Sequence, residues 1–484
     1  MSELDIRIRN HPVVKFEKND PFTFRFEGQK IIAYRGETIG AALHAAGITT
    51  LGESRIRHRP QGLFCMIGDC SSCLMKVDGA SNIRVCTTLA KPGIFVERQS
   101  DQGELGGMDM HEIEHEKIEA EVAVVGTGPA GLKSALCAAD LGAEVAVVDQ
   151  NPLLGGQLIK QTHKFFGDEE LYAGFRGPEI AKMLDTELRK RRITRVIQSR
   201  VIGSFPGKKH VLGVLVENSK FIELQADRVV VATGASENML SFPNWDLPGV
   251  FAAGGVQTMM NVYGVRPGNR ALMIGSGNVG LIVAYQMIQA GIEVEMILEA
   301  APRVGGYEVH AAKLRRLGVP ILTSHSIVRA VGPDHVQGAI VARLDKKSRP
   351  ISQTEKHLDV DLICIAVGLS PCSELLLQSG CESRFMSELG GHVALYDENM
   401  ETSVKGIYVA GDAAGIEEAS SAMMEGEIAG ASAASSLGLE TEDAEKRILK
   451  ARNKLVQIRK GPFSRKAKEA KERIFRMSKE IRER

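Results

Sequence analysis

Apolar and polar residues alternate over Phe22-Thr-Phe-Arg-Phe26, a glycine follows at position 28, and Lys30-Ile-Ile-Ala-Tyr34 resumes the apolar pattern. A period of two marks half-buried strands, so two strands joined by a turn are expected. Glu37 to Gly47 then reads as a short helix, opened by Glu37 or Thr38 and closed by the glycine. A polar, glycine-bearing stretch at 101–118 follows and reads as a linker. Ala120-Glu-Val-Ala-Val-Val125 begins a buried strand, and strand–helix alternation continues to about residue 435. That order predicts α/β architecture with parallel sheets. The last segment changes character: from 451 to 484 there are 13 Lys+Arg and four Glu, net +9. Lys466 to Met477 has only a thin apolar stripe, so a basic, solvated helix is expected, with docking onto a partner or an anionic surface as the second reading.

Composition adds little. The 484 residues suffice for about three domains. Lys+Arg and Asp+Glu both total 60, which gives no global case for nucleic acid. No run approaches ~18 uncharged apolar residues and the N-terminus has no apolar signal core, so no transmembrane helix is expected and the reading is cytoplasmic.

The cysteines change the picture. Cys65, Cys70, Cys73 and Cys86 are spaced C-x4-C-x2-C-x12-C. The first three match the plant-type [2Fe–2S] ligand run, and each iron needs two thiolates. Gly68 can relax the tight loop that carries three of them, and Cys86 lies just past a hairpin-like turn at Val77-Asp78-Gly79-Ala80. Two other readings stand beside it. Cys70-Ser-Ser-Cys73 could be a redox dithiol. Four cysteines could hold zinc, although structural zinc sites usually pair two short knuckles. Cys137 and Cys364 fall in a predicted helix and an apolar strand, where inert buried thiols are common.

Two glycine motifs carry nucleotide chemistry. Gly126-Thr-Gly128-Pro129-Ala130-Gly131 follows a strand and opens a helix, and the next strand ends at Asp149. The first glycine permits the turn, the second lets the backbone approach a pyrophosphate, and the third allows helix–strand packing. The helix N-terminus faces the phosphate, and the acid can accept from a ribose. The pattern recurs at Gly275, Gly277 and Gly280, with Glu299 ending the next strand. Glu299 would favour NAD over NADP, though Arg303 is close; a decayed second site that keeps only the fold is the competing reading. Thr233-Gly234 closes the first unit, and Gly411-Asp412 ends a later strand where a flavin ribityl or pyrophosphate is held.

On these motifs residues 119–435 resemble the two-dinucleotide-binding-domain flavoproteins, the class of the pyridine-nucleotide disulfide oxidoreductases. The resemblance implies FAD at Gly126, Gly128, Pro129, Ala130, Gly131, Asp149, Thr233, Gly234, Gly411 and Asp412, and NAD at Gly275, Gly277, Gly280 and Glu299. Asp149 replaces the more usual Glu. The class's disulfide chemistry does not carry over, because no C-x2-C or C-x4-C pair lies in these regions.

A closer resemblance covers about residues 15–440. The fused ferredoxin unit, Asp149-Gln150-Asn-Pro-Leu-Leu-Gly-Gly156-Gln157 and Tyr408-Val-Ala-Gly-Asp-Ala-Ala-Gly-Ile-Glu-Glu-Ala are similar to the α subunits of multi-subunit amine-oxidising dehydrogenases. These include heteromeric sarcosine oxidase, dye-linked proline or hydroxyproline dehydrogenase, opine oxidase and hydrogen cyanide synthase. The resemblance implies a separate FAD-containing β subunit that oxidises the amine, with this chain serving electron transfer. It also implies FMN at a subunit interface in some members and ATP in place of FAD in others. The C-terminal cysteine cluster of many such subunits is missing here, so a small iron–sulfur subunit would supply it. No acid–base catalytic residue is assigned, and His58, His163 and His310 are read as surface or structural residues. The alternative reading is a free-standing NAD(P)H-dependent ferredoxin-type reductase.

The expected fold is therefore α/β: an N-terminal β-grasp ferredoxin-like domain followed by two Rossmann-like domains, the NAD domain inserted in the FAD domain. The expected boundaries are 1–100 for the ferredoxin-like domain, 101–118 for the linker, 119–245 and 355–440 for the FAD domain, 246–354 for the NAD-like domain and 441–484 for the tail.

Overall fold

A computed structural model describes residues 5–54, 56–99, 114–216, 220–461 and 464–483. The chain divides into two compact units, Met1–Asp109 with Glu237–Gly368, and Met110–Ser236 with Leu369–Arg484.

In the first unit, Pro21–Phe26 and Gln29–Tyr34 form the expected antiparallel hairpin. Its alternation puts Phe24, Phe26, Ile31 and Ala33 in the core. Phe95–Glu97, Leu74–Val77 and Ala80–Arg84 complete a five-stranded sheet. Asp78 and Gly79 both have positive φ (47° and 84°), as a two-residue hairpin turn requires. Helix Ile39–Ala45 is capped by Thr38, whose hydroxyl accepts from the Ala41 N–H at 3.2 Å.

The same unit holds a five-stranded parallel sheet in the order Val250–Ala252, Leu362–Ile365, Arg270–Ile274, Glu293–Glu299 and Ile321–Thr323. The two modules share a core: Met66, Cys73, Met75 and Cys86 pack with Phe251, Val256 and Met259. An N-terminal arm ties them further, with the Ile8 N–H donating to the Gly264 carbonyl at 2.7 Å and the Arg266 N–H to Ile6 at 3.1 Å. The Arg7 guanidinium grips the buried Glu37 carboxylate twice, at 2.8 Å each.

The second unit is built on a seven-stranded sheet. Its path is Ile193–Ile197, Val145–Asp149, Glu114–Val125, Lys220–Val231, His210–Val216 and Ser199–Phe205, with Ile407–Val409 also on Lys220–Val231. Helix Pro129–Asp140 packs closely on Ala419–Ser435, where Gly426 and Gly430 let the backbones meet; a Cβ on Gly426 would stand 2.1 Å from the Ala130 carbonyl oxygen.

Three expectations change. Of the linker at 101–118, residues 101–113 lie outside the described residues, while 114–118 are strand, paired in parallel with 220–224. The crossings between units fall at 236/237 and 368/369 rather than at 245/246 and 354/355, because Leu362–Ile365 pairs inside the second nucleotide sheet. The tail forms helices Thr441–Ile458 and Arg465–Arg482 that bury Ala444, Ala451, Leu455, Ala470, Lys471 and Ile474 in the second unit. Its thin stripe is sufficient because a buried lysine adds to it, a contribution hydropathy cannot register.

Candidate functional site

The four-thiol loop belongs to the first unit. Cys65, Cys73 and Cys86 are buried and Cys70 is half-buried. Gly68 has φ 76° as expected, and Met66 (54°) and Ser71 (60°) are left-handed as well. A run of such residues is held only where the surroundings dictate it. The Ala252 N–H donates to the Phe64 carbonyl at 3.3 Å, and a Cβ on Gly255 would stand 2.3 Å from that same oxygen. The loop therefore sits directly on the short helix Ala253–Gln257 that follows strand Val250–Ala252.

Sulfur chemistry fits the loop. Hydrogen bonds from the Cys70 and Cys86 thiols hold Cys65 far below the usual thiol range, against burial. A bond from Cys86 likewise holds Cys73 down. Cys70 and Cys86 are pushed up by the thiolates they serve and then by burial. Among the described residues no three His, Cys, Asp or Glu side chains are placed to hold one metal ion. The sulfurs instead form a linked set, Cys70 with Cys65, Cys65 with Cys86 and Cys86 with Cys73, so the loop brings together the four thiolates that a two-iron cluster needs.

The first nucleotide turn lies in the second unit. Gly126 has φ 93°, and a Cβ there would meet the Ala232 carbonyl oxygen at 2.3 Å. Gly128 ends the loop at φ −66° and ψ −175°, and a Cβ on it would face open space. Pro129 opens the helix with Ala130 buried behind it. Gly156 folds over the turn, its missing Cβ only 2.7 Å from the Gly128 Cα, and the Gly155 N–H donates to Thr127 at 2.9 Å. Gln157 is exposed beyond it. Gln150 accepts from the Arg200 guanidinium at 3.3 Å. Thr233 donates to the Cys372 carbonyl at 2.7 Å, and Gly234 accepts from the Cys372 N–H at 3.0 Å, which ties this landmark to the returning chain.

Asp149 is more engaged than its motif suggests. One oxygen accepts from the Thr127 N–H and hydroxyl at 2.7 and 2.5 Å, and the other from the Asn151 N–H and side-chain amide at 2.8 and 3.1 Å. All four acceptor positions are filled, so a ribose hydroxyl must displace Asn151 or Thr127.

The second turn, in the first unit, repeats the device. Gly277 faces open space, and a Cβ on Gly280 would be 2.2 Å from the Gly275 carbonyl oxygen. Glu299 accepts from the Ser276 N–H and hydroxyl at 3.1 and 2.6 Å and from the Ala301 N–H at 2.8 Å. Among the described residues one acceptor position has no donor. The Gly306 N–H donates to the Ser276 carbonyl at 2.8 Å, as Gly155 does to Thr127. Overlaying Asp149-x-x-Pro-x-x-Gly-Gly on Glu299-x-x-Pro-x-x-Gly-Gly would have revealed this extension of the repeat. Open space beside Gly128 and Gly277, bordered by helix N-termini, fits a nucleotide pyrophosphate at both turns.

Asp412 follows Gly411 (φ 72°), whose own missing Cβ leaves room for Ala130. Asp412 accepts from the Glu417 N–H at 3.3 Å. Some of its surface stays open, but protein crowds its carboxyl group closely, and that desolvation pushes it up to about 6. Glu417 and Glu425 are buried beside it with Arg459 and Lys471. Sequence reasoning missed this cluster, since two glutamates and two cations far apart in sequence carry no local signal.

Residues 120–426 match the family described as pyridine nucleotide-disulphide oxidoreductase, and residues 19–101 match a 2Fe-2S iron-sulfur cluster binding domain. An opine oxidase subunit of Agrobacterium tumefaciens (strain Ach5) is 28% identical over 359 residues, covering 69% of this chain and 69% of that protein. The alpha subunit of sarcosine oxidase from Corynebacterium sp. (strain P-1) is 24% identical over 451 residues, 89% of this chain but 45% of that one, so this chain spans just under half of that relative. Among solved structures, L-proline dehydrogenase from P. horikoshii aligns with a TM-score of 0.67 and 26% identity, over 91% of this chain and 79% of that one.

Proposed function

Because the chain belongs to the pyridine nucleotide-disulphide oxidoreductase family, we propose that it is the electron-transfer subunit of a heteromeric dehydrogenase acting on an amino acid or secondary amine of the proline, hydroxyproline, sarcosine or opine kind. The observation that carries the reading is the union, in one chain, of a four-thiol loop with two open nucleotide cradles, in a chain similar over 91% of its length to an L-proline dehydrogenase. When bound, a flavin takes an electron pair and a two-iron cluster carries electrons singly. The protein's share is binding and orientation. Cys65, Cys70, Cys73 and Cys86 would hold [2Fe–2S]. Gly128, Pro129 and Ala130 would present the helix N-terminus to the phosphates of FAD, or of ATP in its place, and Gly411 and Asp412, next to Ala130, would add to the same site. Gly277 and Glu299 would take NAD.

In this reading a FAD-containing β subunit oxidises the amine, FMN fits a subunit interface, and a small iron–sulfur subunit completes the relay. A cluster held by the thiolates of Cys65, Cys70, Cys73 and Cys86 suits a reducing cytoplasm. The test is activity with and without the partner. Alone, the chain should not oxidise proline or sarcosine with a dye acceptor; with its β subunit it should form a stable complex that does. Amine oxidation by the isolated chain would refute the division of labour.

One observation favours the reductase alternative. Glu299 keeps an acceptor position for an unphosphorylated ribose while Asp149 does not. NADH-to-dye turnover by the isolated chain would support it.

A further inference from the structure

We propose that the C-terminal helices Thr441–Ile458 and Arg465–Arg482 are part of the first nucleotide site, with Lys471 and Arg459 as positioning residues for the Gly411–Asp412 turn. The inference rests on reading that site as one for an adenine nucleotide.

Three threads run from the tail to the turn, all within the second unit. The Gly411 N–H donates to Glu425 at 3.1 Å, and the other Glu425 oxygen is held by Arg459 at 2.5 Å and by Lys471. The Glu417 N–H donates to Asp412, and the Glu417 carboxylate is held by Arg459 at 3.0 Å and Lys471 at 2.9 Å. Tyr396 donates its hydroxyl to the Ala414 carbonyl at 2.9 Å, and its ring meets Phe475 edge-on at 5.7 Å. The turn that ends the flavin-type motif is therefore anchored at residues 411, 412 and 414, and each anchor is backed by a tail side chain.

Burial makes the arrangement exacting. The Lys471 side chain is 1% exposed and that of Glu425 2%. Glu417 is held down to about 2, with burial opposing the pull of Lys471 and Arg459. Two carboxylates and two cations compensate each other in this geometry; without Lys471, Arg459 alone would stand between Glu417 and Glu425, leaving one buried negative charge uncompensated beside the turn. The displaced group would be the Gly411 N–H, next to the carboxylate that faces the nucleotide.

The test uses the full chain, stripped of nucleotide and titrated with FAD and, separately, with ATP. Lys471→Met should weaken binding of whichever nucleotide the wild type takes by about tenfold or more. Lys471→Arg should restore most of it, and Phe475→Leu, which leaves the ions intact, should weaken it less. Leu188→Ala, a core truncation in helix Gly177–Arg189, should lower thermal stability without changing affinity. If Lys471→Met does not fold, Phe475→Leu decides, with unchanged affinity counting against the proposal. Wild type that binds while both tail variants bind equally well overturns the inference alone. Wild type that binds neither nucleotide overturns the reading of the site and the inference with it.

Discussion

A methyl group on Gly131 would stand 1.8 Å from the carbonyl oxygen of Gly126, so the third glycine of the first nucleotide motif is a packing requirement of the protein itself. Gly128 between them has ordinary dihedrals and open space in front of it. The two positions should separate in experiment. Gly131→Ala should destabilise the chain by about 3 kcal/mol or more by overpacking. Gly128→Ala should change stability by less than about 1 kcal/mol yet empty the site. Denaturant midpoints with assay of extracted nucleotide measure both, and a stable Gly131→Ala would refute the packing argument.

The four-thiol loop should carry about two irons and two labile sulfides per chain. Cys73→Ser should remove the EPR signal of the reduced cluster. Cys137→Ala should leave it, since burial pushes that thiol up to about 12 and it has no part in the loop. Stoichiometric zinc without labile sulfide would overturn the assignment.

The seat of the loop gives a subtler test. Gly255→Ala forces the Phe64 carbonyl, and Cys65 with it, away from helix Ala253–Gln257. Cluster content should fall or its EPR line shape change while the cysteines remain intact. An unaltered spectrum would mean that the loop finds its form without that support.

Asp412 should make the nucleotide-free protein less stable as pH rises. Its folded pKa of about 6 lies above the unfolded value, so its contribution is complete below about 4 and is lost as pH climbs through 6, by at most about 3 kcal/mol. Asp412→Asn should remove this slope, gain stability over wild type at pH 8, and bind nucleotide less well. Urea midpoints at pH 5 and pH 8 test it, and a wild-type midpoint that rises relative to the variant would contradict it. Glu417 acts oppositely: held near 2, it stabilises above about 4.5 and loses that contribution as pH falls through 2.

Much of this was legible along the chain because it is local. The strand pair at 21–34, the turn at 78–79, both glycine motifs and their terminal acids all rest on neighbours within a few residues. Asp149 shows the limit: the motif puts it at the end of its strand, but its saturation depends on Asn151, whose partner no pattern specifies. The crossings at 236/237 and 368/369 escaped because Leu362–Ile365 reads as a buried strand in either sheet. The tail misled because Lys471 counts as polar in any periodicity, while here it is matched by Glu417 and Glu425 from a distant helix and turn.

The two units also differ in when they can be completed. Everything that seats the four-thiol loop has been synthesised once residue 368 is made, whereas the turn at Gly411–Asp412 must wait for Lys471. At about 10 residues per second the second unit lags by roughly ten seconds. Until residue 435 is made, helix Pro129–Asp140 has no helix Ala419–Ser435 to cover it. The four-thiol half can thus close while translation of the other continues, and the nucleotide-binding half stays unfinished until residue 471 has been made.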